Sequence, residues 1–205
     1  MDMQPFVPMR KKPAQARSEQ TVATIIEATA QVLEREGEAA LTTNRLAERA
    51  GFSIGTLYQY FPNKDSILRL LAERERERVE SAVAAVVRDP DAAGLEAVMR
   101  AVIEIAIGSF GNRVRLRRLL LLRFFKSDLA ANVAQTLDAL GRLIAEAVAR
   151  HGGPEMRPLD GARAYVLIRA IAGAIRGAVL ENSPFVHSEE FKEELVRLAL
   201  AYLRS

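Results

Sequence analysis

The chain has 205 residues, of which 49% are hydrophobic and 27% charged, with a formal net charge of +3 and no cysteine. This composition is that of a globular protein, and it excludes a largely disordered chain, a disulfide framework and a thiolate metal site. Apolar runs such as 119–122 are too short to span a bilayer, and no apolar signal-peptide core lies near the N-terminus. We therefore expect a cytoplasmic protein without a membrane partner.

Residues 1–17 are a predicted disordered basic leader that contains three prolines. An arm that reaches DNA and a solvated leader explain its basic cluster equally well. Over residues 1–65 the basic and acidic residues are equal in number, so charge alone counts mildly against nucleic-acid binding. The basic residues of the leader are Arg10, Lys11, Lys12 and Arg17.

The pattern after the leader predicts three helices. Ser18 can cap a first helix that ends near Gly37, and Thr43 is the predicted N-cap of a short second helix that Gly51 ends. Ser53 can then cap a third. Two short helices joined by a turn of about three residues are typical of the helix-turn-helix unit, whose second helix can enter the DNA major groove. At helical spacing Leu46, Ala47, Ala50, Leu57 and Phe61 face inward, whereas Gly55, Thr56, Tyr58 and Gln59 face away.

The segment AERAGFSIGTLYQYFPNK, residues 47–64, resembles the DNA-binding signature of the TetR (tetracycline-repressor-like) family, roughly TxxxLAxxAGVSxGTLYxYFxxK. The chain departs from this pattern at Phe52, where the family usually has Val. The resemblance covers about the first 75 residues and beyond them extends only to an all-helical plan. It implies an all-α fold of about nine helices. A three-helix, helix-turn-helix DNA-binding domain would occupy residues 18–75, and a larger helical effector-binding and dimerisation domain would occupy 76–205.

The same resemblance implies a set of DNA contacts. Thr43 and Tyr58 would meet phosphates, and Lys64 would bind another phosphate at the start of the fourth helix. Asn44 lies where the family often reads a base, and Gln59 would pair with a base edge, for which adenine suits an amide. The remaining members of the predicted DNA site are Arg45, Ser53, Gly55, Thr56 and Tyr60, of which Tyr60 is expected to lie partly in the core.

Further helices are predicted from Lys64 to about residue 88, from Asp91 to Ile107, from Asn112 to Lys126, from Asp128 to Arg150, from Leu159 to Glu181 and from Ser188 onward. Small residues are dense between Leu159 and Glu181, which suits a close helix contact. The resemblance implies that the last two long helices form a homodimer interface. Packing within the chain would leave the same pattern.

The helical domain is expected to bind an unknown small-molecule effector that draws the dimer off its operator. In this scheme the helix that begins at Lys64 transmits the movement. Simple core packing is the alternative for each candidate pocket residue. The candidates are the apolar residues Met99, Ile103, Phe110, Leu120, Phe124 and Tyr165.

The segment from Asn112 to Lys126 is rich in arginine and contains no acidic residue. Three interpretations compete: a solvated helix face, a patch for an acidic ligand and a membrane-surface helix. A solvated face is favoured because an apolar stripe lies opposite several of the arginines. Those arginines include Arg113, Arg115, Arg117 and Arg118.

The pattern of reactive side chains argues against an enzyme. The two histidines, His151 and His187, are in predicted surface positions, and neither metal-ligand spacing nor a glycine-rich phosphate loop is present. We predict no catalytic residue, metal or cofactor. The function predicted is a ligand-responsive regulator, most often a repressor, that binds palindromic double-stranded DNA as a dimer. The alternative is an all-helical small-molecule or membrane-surface binding module with a degenerate helix-turn-helix.

Overall fold

The computed structural model describes residues 16–109, 113–124 and 130–204, and the regular secondary structure within them is entirely helical. The predicted all-α class is therefore confirmed. In this described part of the chain, two short 3-10 helices, Glu38–Ala40 and Pro184–His187, accompany nine α-helices. These are α1 (Ala16–Glu36), α2 (Thr43–Ala50), α3 (Ile54–Tyr60), α4 (Lys64–Val87), α5 (Leu95–Ile107), α6 (Val114–Phe124), α7 (Ala130–His151), α8 (Gly161–Leu180) and α9 (Glu189–Arg204).

The chain forms two compact units. The first takes in the chain up to Glu75 together with Arg113–Leu120, and the second takes in Arg76–Asn112 and Leu121–Ser205. The domain ranges 18–75 and 76–205 stay predictions. The structure differs from them by adding the first turns of α6 to the first unit.

The core of the first unit is formed by apolar residues at helical spacing. Val22, Ile25 and Leu33 of α1 are buried, as are Leu57 of α3 and Phe61 just after it. Burial of one such side chain contributes about 1.5–3 kcal/mol, so this set holds the short helices in place. The inward positions predicted for α2 and α3 are confirmed, since Leu46, Ala47 and Ala50 are buried too.

The predicted cap of the first helix is wrong. α1 begins at Ala16, so Ser18 lies inside the helix and cannot cap it. The hydroxyl of Ser18 instead accepts a hydrogen bond from the hydroxyl of Tyr60, with 3.4 Å between the oxygens. The start of α1 is thereby linked to the end of α3.

The second unit has its own core, to which α4, α5, α7, α8 and α9 contribute. Representative members are Val83, Met99, Ile144, Leu167 and Leu195, and every buried side chain described in this unit is apolar. Ion pairs at its surface join α5 to α9 and the end of α4 to α7. The pairs are Arg100 with Glu193, and Arg88 with Glu146 at 3.2 Å.

Two sequence predictions for the second unit are corrected. α5 begins at Leu95 and not at Asp91, because Gly94 has a φ of 95° that no α-helix accommodates. His151 is half-buried and not on the surface, with its Nε2 atom 2.8 Å from the carbonyl oxygen of Val87. His187 is exposed as predicted.

None of the described helices combines the length and apolar composition that crossing a membrane requires. Within residues 16–109, 113–124 and 130–204, no three His, Asp or Glu side chains are grouped so that they could hold a metal ion.

Candidate nucleic-acid interface

α2, the turn 51–53 and α3 form a helix-turn-helix whose first helix is closed at both ends. Thr42 has extended backbone angles, and its hydroxyl accepts the amide hydrogen of Arg45 at 3.2 Å. The N-cap is therefore Thr42, and the prediction of Thr43 is wrong by one residue, because Thr43 is already helical. Gly51 has a left-handed φ of 74° and donates its amide to the carbonyl of Glu48, which ends α2 as predicted.

The second helix of the motif is capped as predicted. The Ser53 hydroxyl accepts the amide hydrogen of Thr56 at 3.1 Å, and the two hydroxyl oxygens are 2.9 Å apart. Asn63 caps α4 in the same way, since its Oδ1 atom accepts the amide of Ser66 at 2.9 Å. Because each helix has its cap and its buried residues, the helix-turn-helix is complete and not degenerate.

The outward surface of this motif is mostly polar. Its exposed residues are Asn44, Ser53, Gly55 and Gln59, and 40% of the surface of Tyr58 is exposed. The Tyr58 hydroxyl lies 3.3 Å from the Thr43 hydroxyl, so the first turn of α2 and the middle of α3 present two linked oxygen donors. Groups of this kind can hydrogen-bond phosphate oxygens and base edges.

Arg45 differs from its neighbours because two carboxylates hold its guanidinium group. Its Nε atom is 2.8 Å from Glu36 and an Nη atom is 2.8 Å from Glu48. Hydrogen bonds to these carboxylates raise the pKa of Arg45, and the bond from Arg45 lowers the pKa of Glu36. Arg45 could therefore reach DNA only by exchanging these partners for phosphate.

Three other members of the predicted site are buried or half-buried. The Tyr60 side chain is buried, so its predicted core position is confirmed and its ring is not part of the outward surface. Lys64 is half-buried at the first position of α4, and Thr56 is half-buried behind Ser53. Of the ten predicted residues, five are therefore exposed: Asn44, Ser53, Gly55, Tyr58 and Gln59. Tyr60 is buried, and the other four are half-buried: Thr43, Arg45, Thr56 and Lys64.

Sequence reasoning missed one exposed residue of this surface. Ile54 is the first residue of α3, and 42% of it is exposed. Tyr58 follows one turn later on the same side of the helix. The available signal was a large apolar residue at the one variable position of SxGTLY, outside the inward stripe of Leu57 and Phe61.

The arginine-rich segment carries structural ion pairs in the first unit. An Nη atom of Arg113 is 2.6 Å from a carboxylate oxygen of Glu27 in α1. Burial would raise the pKa of Glu27, but hydrogen bonds from Arg113 and Gln31 outweigh it and lower that pKa. A solvated face is therefore the wrong interpretation for Arg113, although Arg115 and Arg118 are exposed as it predicts.

Two further contacts fix the start of α6. Glu34 of α1 accepts the amide hydrogens of Arg115 and Leu116 at 2.9 and 3.1 Å. Arg117 is only 6% exposed, and burial lowers its pKa to about 10, so it stays charged at neutral pH while nearby Glu75 favours that charge. Arg117, too, is buried and not solvated.

The predicted effector-pocket residues do not share one core. Met99 and Ile103 are buried in the second unit, whereas Leu120 is buried in the first. Tyr165 is 57% exposed, with the Arg169 guanidinium carbon 3.6 Å from its ring centre, so its predicted inward position is wrong. The other two candidates, Phe110 and the side chain of Phe124, lie outside the described residues.

α8 and α9 leave apolar side chains uncovered on the second unit. Val166 of α8 is 49% exposed and Leu198 of α9 is 47% exposed. A Cβ atom built on Gly173 of α8 would meet no atom within 4 Å, whereas one built on Gly141 of α7 would lie 3.6 Å from Ile168. Small residues therefore serve close packing between α7 and α8 but also leave an open face on α8.

Two family models match separate parts of the chain. Residues 25–71 match the family model for bacterial regulatory proteins of the tetR family, and residues 94–203 match that for the tetracyclin repressor-like C-terminal domain.

Two curated relatives match over different lengths of the chain. The nucleoid occlusion factor SlmA of Haemophilus ducreyi is 30% identical over 173 residues, covering 83% of this chain and 80% of that protein. The HTH-type transcriptional repressor KstR of Rhodococcus jostii is 40% identical over 57 residues, or 28% of this chain and 27% of the relative.

The fold matches that of a solved structure as well. The crystal structure of a TetR-family transcriptional regulator from Streptomyces coelicolor superposes with a TM-score of 0.65 and 22% identity. The match covers 91% of this chain and 97% of that one. At this identity the likeness shows a shared fold.

Proposed function

Because the chain belongs to the tetR family of bacterial regulatory proteins, we propose that it is a repressor that binds a palindromic DNA operator as a homodimer and is released by a small-molecule effector. As a member of this family it is a DNA-binding regulator and not an enzyme. The observation that carries the operator-binding role is the complete helix-turn-helix with its exposed polar surface.

Within that surface each side chain has a chemical role. The linked hydroxyls of Thr43 and Tyr58 bind one phosphate from both helices of the motif, which fixes the protein on the duplex. Gln59 and Asn44 are exposed amides that read base edges. The short side chains of Ser53, Gly55 and Thr56 let the backbone approach the DNA closely. Lys64 binds a further phosphate. Arg45 contacts DNA only after its ion pairs with Glu36 and Glu48 break.

The exposed apolar face of α8 and α9 supports dimerisation. Val166 and Leu198 leave apolar area that a second copy would cover, and the bare backbone at Gly173 allows a helix to approach closely. A two-fold dimer presents two identical outward helix-turn-helix surfaces, here called reading surfaces, in opposite directions along the duplex. Its operator is therefore palindromic.

The buried composition of the second unit supports an apolar effector. Every buried side chain described there is apolar, so a charged ligand would lose its hydration without a buried partner. Met99 and Ile103 remain candidates for contact with this ligand. A ligand lowers operator affinity if it binds better to a conformation in which the spacing of the two reading surfaces does not match the two half-sites. α4 transmits the change, because it is one continuous helix with residues in both units.

A second candidate function is that of a nucleoid occlusion factor. The relative that carries this name matches 83% of the chain, whereas the repressor KstR matches only 28% of it. This function predicts cell-division defects in a deletion strain and operator binding that no apolar metabolite relieves. A ligand-responsive repressor predicts derepression of a few genes with normal division.

The test of operator binding is selection of bound sequences from a random double-stranded DNA pool at near-physiological salt. We expect a palindromic motif for the wild type. Tyr58→Ala should weaken binding about tenfold at every sequence, whereas Gln59→Ala should relax the preference at one base pair, at a cost of about 1–3 kcal/mol. Gln135→Ala, an exposed glutamine of α7, is the matched control and should leave the motif unchanged.

A folded, dimeric wild-type protein that enriches no sequence would contradict the proposed function. Loss of the motif in the Gln135→Ala control would show that the variants act through folding and not through contact.

A further inference from the structure

We infer that Ile54 reads the methyl group of a thymine in each operator half-site and is a specificity-determining residue of this protein. The inference depends on the proposed operator binding and extends it to a side chain that the polar set does not include. It starts from the exposure of a large aliphatic residue on an otherwise polar reading surface.

Ile54 is not among the buried residues of the core. Leu57 and Phe61 fill the inward side of α3 and are fully buried, while 42% of Ile54 remains exposed at the first position of the helix. Single exposed apolar residues are common on protein surfaces, so exposure alone decides nothing. The location decides it, because the neighbours Ser53, Gly55 and Gln59 are exposed on the same short segment.

The side chain is also held in a defined place. A β-branched residue in a helix has essentially one χ1 rotamer, so Ile54 loses little conformational freedom when it meets a partner. Tyr58, one turn further on, is 40% exposed, and its hydroxyl is fixed 3.3 Å from that of Thr43. Ile54 and Tyr58, one helical turn apart and both exposed, therefore form a short apolar ridge on α3.

The chemistry of the major groove selects one partner for such a ridge. Thymine alone presents a methyl group there, while the other base edges present hydrogen-bond donors and acceptors. An isoleucine over a polar edge would remove its water without replacing the hydrogen bond, which disfavours those bases. Ile54 thus favours thymine by contact and rejects the alternatives by desolvation.

The experiment removes the methyl group from the DNA and the isoleucine from the protein separately. An operator selected by the wild type is prepared with single thymines replaced by deoxyuridine, symmetrically in both half-sites, and affinities are measured by fluorescence anisotropy at fixed salt. The proteins are wild type, Ile54→Ala and the matched control Val114→Ala, which shortens an exposed aliphatic residue at the start of α6.

At one thymine per half-site we expect deoxyuridine to weaken wild-type binding about three- to tenfold, as burial of one or two methyl groups predicts. Ile54→Ala should bind the thymine operator as weakly as the wild type binds the deoxyuridine operator. It should not distinguish thymine from deoxyuridine at that position. Val114→Ala should behave as wild type at every position.

The inference is overturned if Ile54→Ala keeps the wild-type sensitivity to deoxyuridine at every thymine, or if no thymine methyl matters to the wild type. Both results leave sequence-specific operator binding intact, so they separate this inference from the proposed function. If the wild type selects no operator at all, the proposed function fails and the inference fails with it.

Discussion

Gly55 is a residue at which stability and DNA binding should change in opposite directions. Its φ is not in the left-handed region, and a Cβ atom built there would meet only the Ser53 hydroxyl, at 3.7 Å. Gly55→Ala should therefore stabilise α3 by about 0.5–1 kcal/mol and raise the melting temperature by a few degrees. The new methyl group would stand on the surface that we propose lies against DNA. We expect an operator affinity about tenfold lower, measured by anisotropy beside thermal unfolding.

Gly51→Ala is the control, because it adds the same methyl group only four residues away in the sequence but at a backbone conformation that disfavours alanine. Gly51 has a φ of 74° and open space around it, so alanine there meets no atom but adopts a strained backbone. The expected cost is about 1 kcal/mol, with a lower melting temperature. If Gly55→Ala binds the operator as tightly as wild type, backbone at this position is not close to DNA.

One side chain of α1 accepts two backbone amide hydrogens in the first turn of α6. Glu34 accepts the amide hydrogens of Arg115 and Leu116, which the first turn of a helix otherwise leaves without partners. Glu34→Ala should cost about 1 kcal/mol locally and speed amide exchange over residues 113–120 roughly fivefold. Hydrogen exchange with mass spectrometry measures this directly, and exchange in α3 should not change.

Glu73→Ala is the matched control for Glu34, since it removes an exposed glutamate from α4 in the same unit. It should leave exchange over residues 113–120 as in the wild type. Equal exchange in Glu34→Ala and wild type would mean that the buried residues of α6 hold its first turn without the carboxylate.

The same element shows why sequence reasoning succeeded for α2 and α3 and failed for α6. The signals at Gly51, Ser53 and Leu57 act within a few residues, so periodicity and capping predict them. Arg117 is buried only because residues 113–120 join a unit that ends at Glu75. The partner of the α6 amides, Glu34, lies about eighty residues earlier in the chain, and no local pattern encodes that pairing.

The inward position predicted for Tyr165 is wrong for a related reason. At helical spacing the exposed Tyr165 and the buried Leu167 are both part of an apolar stretch, because α8 is apolar on more than one side. A helix with two apolar sides packs one of them inside its own chain, and the sequence alone does not say which. The exposed side is the one that we propose takes part in dimerisation.

At the scale of the whole molecule, the exposed side of α8 and α9 predicts how assembly controls DNA binding. Leu198→Glu and Val166→Glu each place a charge on a residue about half exposed in the single chain. Both variants should fold, because neither residue is part of the buried core, but a dimer interface would have to bury the new charge without a partner. We expect monomers in size-exclusion chromatography with light scattering. Leu122→Glu, at an equally exposed leucine of α6, is the control and should remain dimeric.

The monomeric variants should also lose operator affinity although their helix-turn-helix is untouched. In a dimer the second reading surface binds as an intramolecular event at high effective concentration, which multiplies affinity by about a hundredfold or more. A monomer keeps only the half-site interaction, so its affinity should no longer depend on whether the second half-site is present. A variant that is monomeric yet binds the full palindrome as tightly as wild type would place cooperation between half-sites outside α8 and α9. The assembly face and the operator symmetry would then need separate explanations.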